Sequence, residues 1–255
     1  MNKILVSRDK IISDSNNILV VGNNIKLFND GIYSLEYEDI DNIDLCIEID
    51  NSAKVVLFES SFLDGIIVNN RYVIKDGELR INKFYNNKNV SEKINIDLCS
   101  MGSKIDYRFS NICTGVENYI ININHNNKNT ISNINNKSIA MNGSKLDFVI
   151  NSIVKKEYNG SILDQNTRIV TIGDSDSKIS PNMFVDCDDI EARHGSVVGT
   201  FKDELVFYLM SRGIEYNDAI KLLVKGYLFS NIDADSSLRE KILNVIDMYW
   251  RWVYE

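Results

Sequence analysis

Residues 181–229 decide the fold, and they read PNMFVDCDDIEARHGSVVGTFKDELVFYLMSRGIEYNDAIKLLVKGYLF. Up to about residue 200 the apolar residues come in short runs broken by polar corners, which is typical of β-strands. Beyond that point the apolar residues recur with a period of about 3.6, which is typical of helices. The stretch therefore predicts that a β region hands over to a helical region near residue 200.

Upstream of this change, residues 16–200 repeat one pattern: a short run rich in β-branched and aromatic residues, then a polar corner. Apolar and polar residues alternate in many runs, as at Ile94, Ile96 and Leu98, which predicts strands with one buried face. Sandwiches, barrels and solenoids all contain such strands. The clearest runs are residues 54–59, 65–68, 78–84, 93–98, 104–109, 119–124, 145–150 and 168–173.

The asparagines favour a solenoid among these three architectures. Proline and Asn-Gly hairpin turns are nearly absent, whereas corners with paired asparagines are frequent. An asparagine tolerates left-handed backbone angles and can stack its amide on an equivalent asparagine one coil away. The pairs are at residues 69–70, 86–87, 126–127 and 135–136.

Three helices are predicted downstream. Thr200 and Asp203 form a plausible capping box for the first helix. The second helix spans about residues 217–229, and Ser237 with Glu240 caps the third. The chain therefore ends in a small helical module.

Composition and charge exclude several classes of function. The chain has 255 residues, 44% of them hydrophobic, and a formal net charge of -8. Binding to nucleic-acid phosphates needs clustered Lys and Arg, so a nucleic-acid partner is not expected. No apolar run approaches the roughly 20 residues of a membrane helix, and no export signal is evident. We expect a cytoplasmic protein without a membrane partner.

The four cysteines, Cys46, Cys99, Cys113 and Cys187, are far apart and form no C-x-x-C pair. Neither a zinc knuckle nor a small disulfide framework is indicated, so buried reduced thiols are the default interpretation. The sequence also lacks a phosphate-binding loop of the G-x-x-x-x-G-K-[ST] type. Any ATP hydrolysis connected with this chain must therefore come from a partner.

Residues 181–229 resemble the C-terminal signature of the SufB/SufD family of iron-sulfur cluster assembly scaffolds. The signature combines a proline before a strand, an acidic pair, a histidine-glycine turn, a glycine, and a helix with Phe-Tyr-Leu and Ser-Arg-Gly-Ile. Residues 125–136 resemble a second, weaker family stretch. The matching residues are Pro181, Asp188, Asp189, His194, Gly195, Ser196, Gly199, Phe207, Tyr208, Leu209, Ser211, Arg212, Gly213 and Ile214.

The resemblance implies a mainly β fold, in which a right-handed parallel β-helix over residues 1–199 precedes a helical domain over residues 200–255. It implies that the helical domain docks on a SufC-type ATPase. The core would pair with a SufB-type scaffold or with a second copy of itself. A nascent iron-sulfur cluster would be built at the shared interface, transiently, with no cofactor held stably by the isolated chain. On this view the chain is a scaffold and not an enzyme.

Within the family the chain is nearest to the SufD branch, because Gly195 follows the histidine where the SufB pattern has glutamate. Many members carry a helical domain before the β-helix, whereas strands are predicted here almost from Met1. The chain is therefore expected to be a short form without the N-terminal helical domain.

His194 and Cys187 are the candidate ligands for iron or the cluster. A neutral imidazole can bind iron and can replace a thiolate on an iron-sulfur cluster, and the resemblance implies that His194 sits at the scaffold interface. The alternative is that His194 only caps the turn from strand to helix. A thiolate at Cys187 can accept sulfur or bind iron, but a lone cysteine in an apolar strand is more often a small buried hydrophobe.

Partner-docking candidates lie in the helical module. Arg212 and Gly213 end its first helix, with Gly213 as the C-terminal stop. The aromatic stripe is larger than three short helices can bury among themselves, so some of it faces the β-helix end and some faces a partner. Core packing is the competing interpretation. The stripe comprises Phe207, Tyr208, Leu223, Tyr227, Trp250 and Trp252.

Two further functions remain open. Carboxylates on a β-helix face serve carbohydrate-cleaving enzymes, which makes the acidic residues between Asp174 and Asp189 a candidate catalytic set. Their alternative role is a solvated edge that discourages strand pairing. A purely structural solenoid is the other possibility. His125, surrounded by asparagines, is expected at a solvated corner.

Overall fold

The computed structural model describes residues 1–8 and 10–251, the last without its side chain. The three helices are α1 (Asp203–Ser211), α2 (Tyr216–Phe229) and α3 (Ser236–Arg251). The strands are β1 (Asn2–Ser7), β2 (Ile11–Ser13), β3 (Ile18–Val21), β4 (Asn24–Leu27), β5 (Gly31–Glu38), β6 (Asn42–Ile43), β7 (Cys46–Ile49), β8 (Ala53–Ser61), β9 (Ile66–Ile74), β10 (Gly77–Tyr85), β11 (Asn89–Leu98), β12 (Lys104–Cys113), β13 (Val116–His125), β14 (Ile131–Met141), β15 (Lys145–Val154), β16 (Ser161–Ile172), β17 (Asp176–Val185) and β18 (Ile190–Gly199).

The strands form two facing sheets that wind as a parallel β-solenoid of about seven turns. Sheet A has the order β18-β16-β14-β12-β10-β8-β5-β1-β2, and sheet B has the order β17-β15-β13-β11-β9-β7-β4-β3, with β6 beside β9. Each strand after the first coils pairs in parallel with the strand two places earlier. The predicted parallel solenoid followed by helices is confirmed.

Alternation along the strands builds the core. Ile94, Ile96 and Leu98 are fully buried, as predicted, and equivalent residues stack from coil to coil. In sheet A, Ile81 lies opposite Tyr107, and Tyr107 lies opposite Ile134. Burial of such columns is the main stabilising term, since burying one large apolar side chain contributes about 1.5–3 kcal/mol.

Asparagine stacking occurs, but at a place the sequence did not predict. A ladder of amide hydrogen bonds joins successive coils on the outer face of sheet B, with Nδ2 to Oδ1 distances of 3.0, 2.8 and 2.9 Å. The predicted corner pairs at 69–70 and 135–136 were wrong, because these residues lie inside β9 and β14. The ladder consists of Asn95, Asn122, Asn151 and Asn182.

The helices lie along the outer face of sheet A. Val224, Leu228, Ile242 and Ile246 form a second core with apolar residues of the sheet, among them Phe84, Ile112, Ile139 and Val170. The helical residues in this core come from α2 and α3. These two helices therefore cover the side of the solenoid, whereas the sequence had suggested packing on its end.

Two predicted helix caps were wrong. Lys202 occupies the N-cap of α1, where no side chain caps the helix, so the Thr200 and Asp203 box does not form. Before α3, Asp235 Oδ1 accepts the N–H of Leu238 at 2.7 Å, in place of the predicted Ser237 cap. Asp235 is also a residue type that caps helices well, so the helix begins two residues earlier than the predicted cap implies.

Candidate functional site

The last coil of the solenoid is uncovered. No strand of residues 1–8 and 10–251 lies beyond the ten-residue strands β17 and β18 in either sheet. Eight of the ten residues in β18 are exposed, among them Val197 and Val198. Two long strand edges therefore present free backbone groups at the same end of the molecule.

Backbone direction shows which groups are free on β18. Ile131 and Ile162 lie opposite each other, and both donate their N–H back to the previous coil, at 3.0 and 2.9 Å. Glu191 comes next in this register, so its N–H also points back. Because direction alternates along a strand, the N–H groups of His194 and Ser196 point to the open side.

The same alternation of N–H direction along β17 places the backbone nitrogen of Pro181 on the open side. The N–H groups of Asp176 and Asp186 donate back to Ser144 and Val154 at 2.9 and 3.1 Å. Alternation puts the odd positions between them on the open side, so Pro181 removes a donor from the open edge and costs no bond within the solenoid. The free donor row is interrupted on β17 and continuous on β18.

His194 stands in the middle of β18, opposite Gln165 of the previous coil. Gln165 is buried in the solenoid interior, so His194 occupies the equivalent inward position, yet it is exposed because no coil covers it. The predicted histidine-glycine turn is wrong, since residues 194–196 are strand residues. Gln165 donates to Ser152 Oγ at 2.7 Å, which makes the surface beneath His194 polar.

Cys187 lies in the connection between β17 and β18 and is partly exposed. Burial and the neighbouring Asp188, Asp189 and Asp186 raise the pKa of its thiol, so the thiol form dominates at neutral pH. Cys187 and His194 do not converge, because the first four residues of β18 separate them by about 13 Å along the strand. Among residues 1–8 and 10–251, no three His, Cys, Asp or Glu side chains are placed to hold a metal ion.

The acidic residues of the candidate carbohydrate site are spread over the last coil. Asp174 and Asp176 flank the start of β17, and Asp176 pairs with Lys145 at 3.2 Å. Asp186, Asp188 and Asp189 follow the end of that strand, about 30 Å away by strand length. A pair of catalytic carboxylates needs a separation of roughly 5–10 Å, so the two groups cannot combine into one catalytic pair.

Helix α1 carries a large exposed apolar surface. Phe207 is 69% and Tyr208 57% exposed, and only Val206 of the helix is buried. Arg212 stacks on the Tyr208 ring at 5.3 Å. Gly213, with a φ of 84°, ends the helix as predicted, because the N–H groups of Gly213 and Ile214 bond back to Met210 and Leu209.

Two other members of the aromatic stripe face inward. Tyr227 packs against sheet A, and its hydroxyl donates to the Arg168 carbonyl at 2.6 Å. Trp250 is buried, and its Nε1 donates to the Asn217 carbonyl. Trp252 lies outside the described residues. A cavity of about 590 Å³ opens between α1, α2 and sheet A, beside Phe207 and Trp250.

Sequence reasoning missed a charged cluster inside the solenoid. Lys83 is fully buried and pairs with Glu59 at 3.1 Å and with Glu92. Glu59 also accepts hydrogen bonds from the hydroxyls of Tyr37, Tyr72 and Tyr85. The signal was present in the alternation, because Lys83 takes the next inward position after Leu79 and Ile81, but a charge at such a position argues against burial.

The buried glutamates of the solenoid interior differ in the direction in which their pKa values are shifted. Burial acts to raise the pKa of Glu59, but Lys83 and the hydroxyls of Tyr72 and Tyr85 outweigh it, so the pKa is lowered. Burial, together with the nearby charge of Glu59, raises the pKa of Glu92 to about 7 against the opposing effect of Lys83. Glu92 Oε2 has no hydrogen-bond partner within the described residues. Glu117, one coil further, has its pKa raised to about 8 by burial.

His125 is buried, so its predicted place at a solvated corner was wrong. Its ring nitrogens lie 2.7 Å from Thr130 Oγ1 and 2.9 Å from Ser132 Oγ. Burial lowers its pKa to about 4, which keeps the ring neutral. Alternation from Ile121 and Ile123 did point inward at His125, but its asparagine-rich surroundings hid that signal.

Comparison with known proteins shows which family the chain belongs to. A family model described as SUF system FeS cluster assembly, SufBD core domain, matches residues 47–227, from β7 into α2. The chain is 30% identical over 87 residues to the iron-sulfur cluster assembly protein SufD of Escherichia coli K12, covering 33% of this chain and 20% of that protein.

Two further relatives are described as iron-sulfur cluster assembly SufBD family proteins. The one from Mycobacterium leprae is 40% identical over 70 residues, covering 26% of this chain and 18% of the relative. The one from Staphylococcus haemolyticus is 33% identical over 106 residues, covering 41% and 23%. The matched segments thus span about a fifth of each of these relatives.

Proposed function

The chain belongs to the SufBD core family of SUF-system iron-sulfur cluster assembly proteins, and from this premise we propose that it is a SufD-like scaffold subunit. It pairs with a SufB-type chain or with a second copy of itself, and a SufC-type ATPase drives the pair. The observation that carries the proposal is the uncovered last coil, which lies within the family match and has His194 at its centre.

The open edges support pairing. Long exposed strand edges invite addition of another chain, and proteins that do not use them shorten or cover them. Here β18 offers a ten-residue edge without proline. A strand added to β18 would bond to the free N–H groups of His194 and Ser196. We therefore assign the pairing surface to the last coil, with β18 as its main strand.

His194 is proposed to contact the nascent cluster, which is the cargo of the pair. Its inward position at the open end means that pairing would enclose the imidazole between two chains. An imidazole nitrogen can coordinate iron. Cys187 remains a second candidate, although its raised thiol pKa makes a resting thiolate there less favourable.

The ATPase is proposed to dock on α1. Exposed contiguous apolar surface on a small helix marks a protein contact, and Phe207 and Tyr208 supply aromatic anchors. Arg212 and Gly213 hold the end of this helix in place. Tyr227, by contrast, contributes through packing within the molecule. We propose no catalysis by the chain alone, and a cytoplasmic location remains an expectation.

Co-expression with a SufC-type ATPase and a SufB-type chain, followed by size-exclusion chromatography, tests the proposal. A complex that contains all three chains is expected. Phe207→Asp should release the ATPase and keep the scaffold pair, with Ile67→Asp in β9, an exposed apolar position on sheet B away from the last coil, as the matched control. A chain that elutes alone under all conditions would exclude a scaffold role.

None of the described helices is long and apolar enough to cross a membrane.

A further inference from the structure

Two cations face each other on the outer face of sheet A. Lys137 of β14 lies directly opposite Arg168 of β16. Like charges at directly opposite positions destabilise a sheet. Neither side chain has a carboxylate within 4.0 Å in the described part of the chain, although acidic residues outnumber basic ones, 36 to 28. This pair is therefore a positive spot on an acidic protein, and none of the described carboxylates pairs with it.

Both cations lie over the aromatic ring of Tyr227. Lys137 Nζ lies 5.4 Å and Arg168 Cζ 5.8 Å from the centre of the Tyr227 ring. Lys137 also donates to Ser230 Oγ at 2.7 Å, at the carboxyl end of α2, where a positive charge is favourable. Burial and Arg168 together lower the pKa of Lys137, which expresses the same repulsion.

Arg168 lacks such compensation. Its Nε is buried and has no acceptor among the described residues. An unsatisfied donor on a charged group is costly, and a guanidinium is suited to bind a carboxylate through two parallel hydrogen bonds. The tyrosine face supports the cation but cannot accept these hydrogen bonds.

Arg168 lies close enough to the open edge strand β18 to reach a side chain of a chain paired with that strand. Val197 of β18 lies directly opposite Arg168 and is 53% exposed. A strand added to β18 would lie about 5 Å beyond Val197 and about 10 Å from the backbone of Arg168. Two long side chains that lean towards each other cover that distance.

We propose that Lys137 and Arg168 form a carboxylate-binding site that receives an Asp or Glu side chain of the chain paired with β18. The inference rests on the proposed pairing through the last coil and adds the chemistry that selects the partner. An acidic residue at this point of the partner relieves the repulsion between the two cations. A partner with a basic residue there is rejected, because three positive charges would then meet.

The test measures the dissociation constant of the scaffold pair by isothermal titration calorimetry, at low and at physiological salt. Arg168→Gln is expected to weaken pairing by about tenfold or more and to reduce its salt dependence. Lys137→Gln is expected to act in the same direction. Lys93→Gln, on the exposed face of sheet B, makes the same change of charge and should pair like the wild type.

Arg168→Lys keeps the charge and the stem that packs on Tyr227, so it tests the guanidinium if Arg168→Gln fails to fold. It should weaken pairing less than Arg168→Gln. Wild-type affinity in both Arg168 variants would overturn the inference and leave the scaffold pair intact. If inorganic phosphate at millimolar concentration binds at Arg168 without competing with pairing, the site takes small free anions and the inference is also overturned. If the wild-type chain formed no scaffold pair, the proposed function itself would be wrong.

Discussion

Polar side chains point inward both in the middle of the solenoid and in its last coil, but their surroundings differ. Lys83 in β10 is covered by coils on both sides and contacts two carboxylates. His194 in β18 occupies an equivalent inward position with a coil on one side only, and it is exposed. A covered inward charge must be paired within the molecule. An uncovered inward side chain such as His194 can instead contact a partner chain or bind a metal ion.

The same contrast applies to the ends of the sheets. At the beginning of the solenoid the edge strands β2 and β3 have three and four residues and pair antiparallel with their neighbours. At the other end the edge strands have ten residues each. Short edges discourage strand addition, whereas long ones invite it. The molecule is thus polarised, with a closed first coil and an open last coil.

The largest expected effect on stability comes from removing the covered charge. Lys83→Met leaves Glu59 and Glu92 buried without their cation, and we expect the free energy of unfolding to fall by about 3–5 kcal/mol. Denaturant unfolding followed by circular dichroism measures this change. Lys93→Met, on the exposed face of sheet B, should change stability by less than about 0.5 kcal/mol. Equal effects of the two variants would show that the interior cluster is not a paired charge site.

The pH dependence of stability tests the same region. Glu92 and Glu117 have raised pKa values of about 7 and about 8, so the folded state holds protons that the unfolded chain has released. Their contribution is complete below the unfolded pKa and is lost as pH rises. His125, with its lowered pKa of about 4, acts in the opposite sense, but only below about pH 6.5.

Between pH 6.5 and 8 we therefore expect stability to fall by about 1–2 kcal/mol. Unfolding curves at several pH values measure the slope. The double variant Glu92→Gln with Glu117→Gln should flatten it, because neither side chain can then ionise. A slope that survives in the double variant would assign the titration to other groups.

Two proline substitutions in β18 sharpen the contrast between covered and open backbone groups. The N–H of Ser196 points to the open side, so Ser196→Pro should cost less than about 1 kcal/mol of stability and yet abolish pairing. The N–H of Val197 points back to β16, so Val197→Pro should lose about 1–3 kcal/mol. Thermal unfolding and sedimentation velocity measure the two quantities. Undiminished pairing of Ser196→Pro would move the interface away from β18.

The smallest effect on stability is expected at the uncovered histidine. His194→Ala should change the free energy of unfolding by less than about 0.5 kcal/mol, because its side chain is exposed. It should nevertheless reduce cluster formation by the reconstituted complex, measured by the absorbance of the iron-sulfur cluster. Arg193→Ala changes the neighbouring residue on the outer face and should leave cluster formation intact. Equal cluster yields for His194→Ala and the wild type would remove His194 from the mechanism.

Sequence patterns predicted much of the fold, since each selected run overlaps a strand and the second helix was placed within a residue of α2. The predictions failed where the local preference of a residue type was overridden by contacts between distant parts of the chain. The asparagine pairs suggested corners, but two of them continue strands. His194 and Gly195 suggested a turn, whereas pairing with β16 keeps them extended. The predicted helix caps also failed, since no side chain caps α1 and Asp235 caps α3.

By itself the sequence determined the period of each region, the change of period near residue 200 and the resemblance that points to His194. These properties are local, since they depend on the order of apolar and polar residues along one strand or helix. Only the tertiary structure decided that Lys83 is covered, that β18 is open and that Lys137 meets Arg168. Each of these depends on which coil lies next to which, and residues that become neighbours through coiling are 22–31 positions apart in the chain.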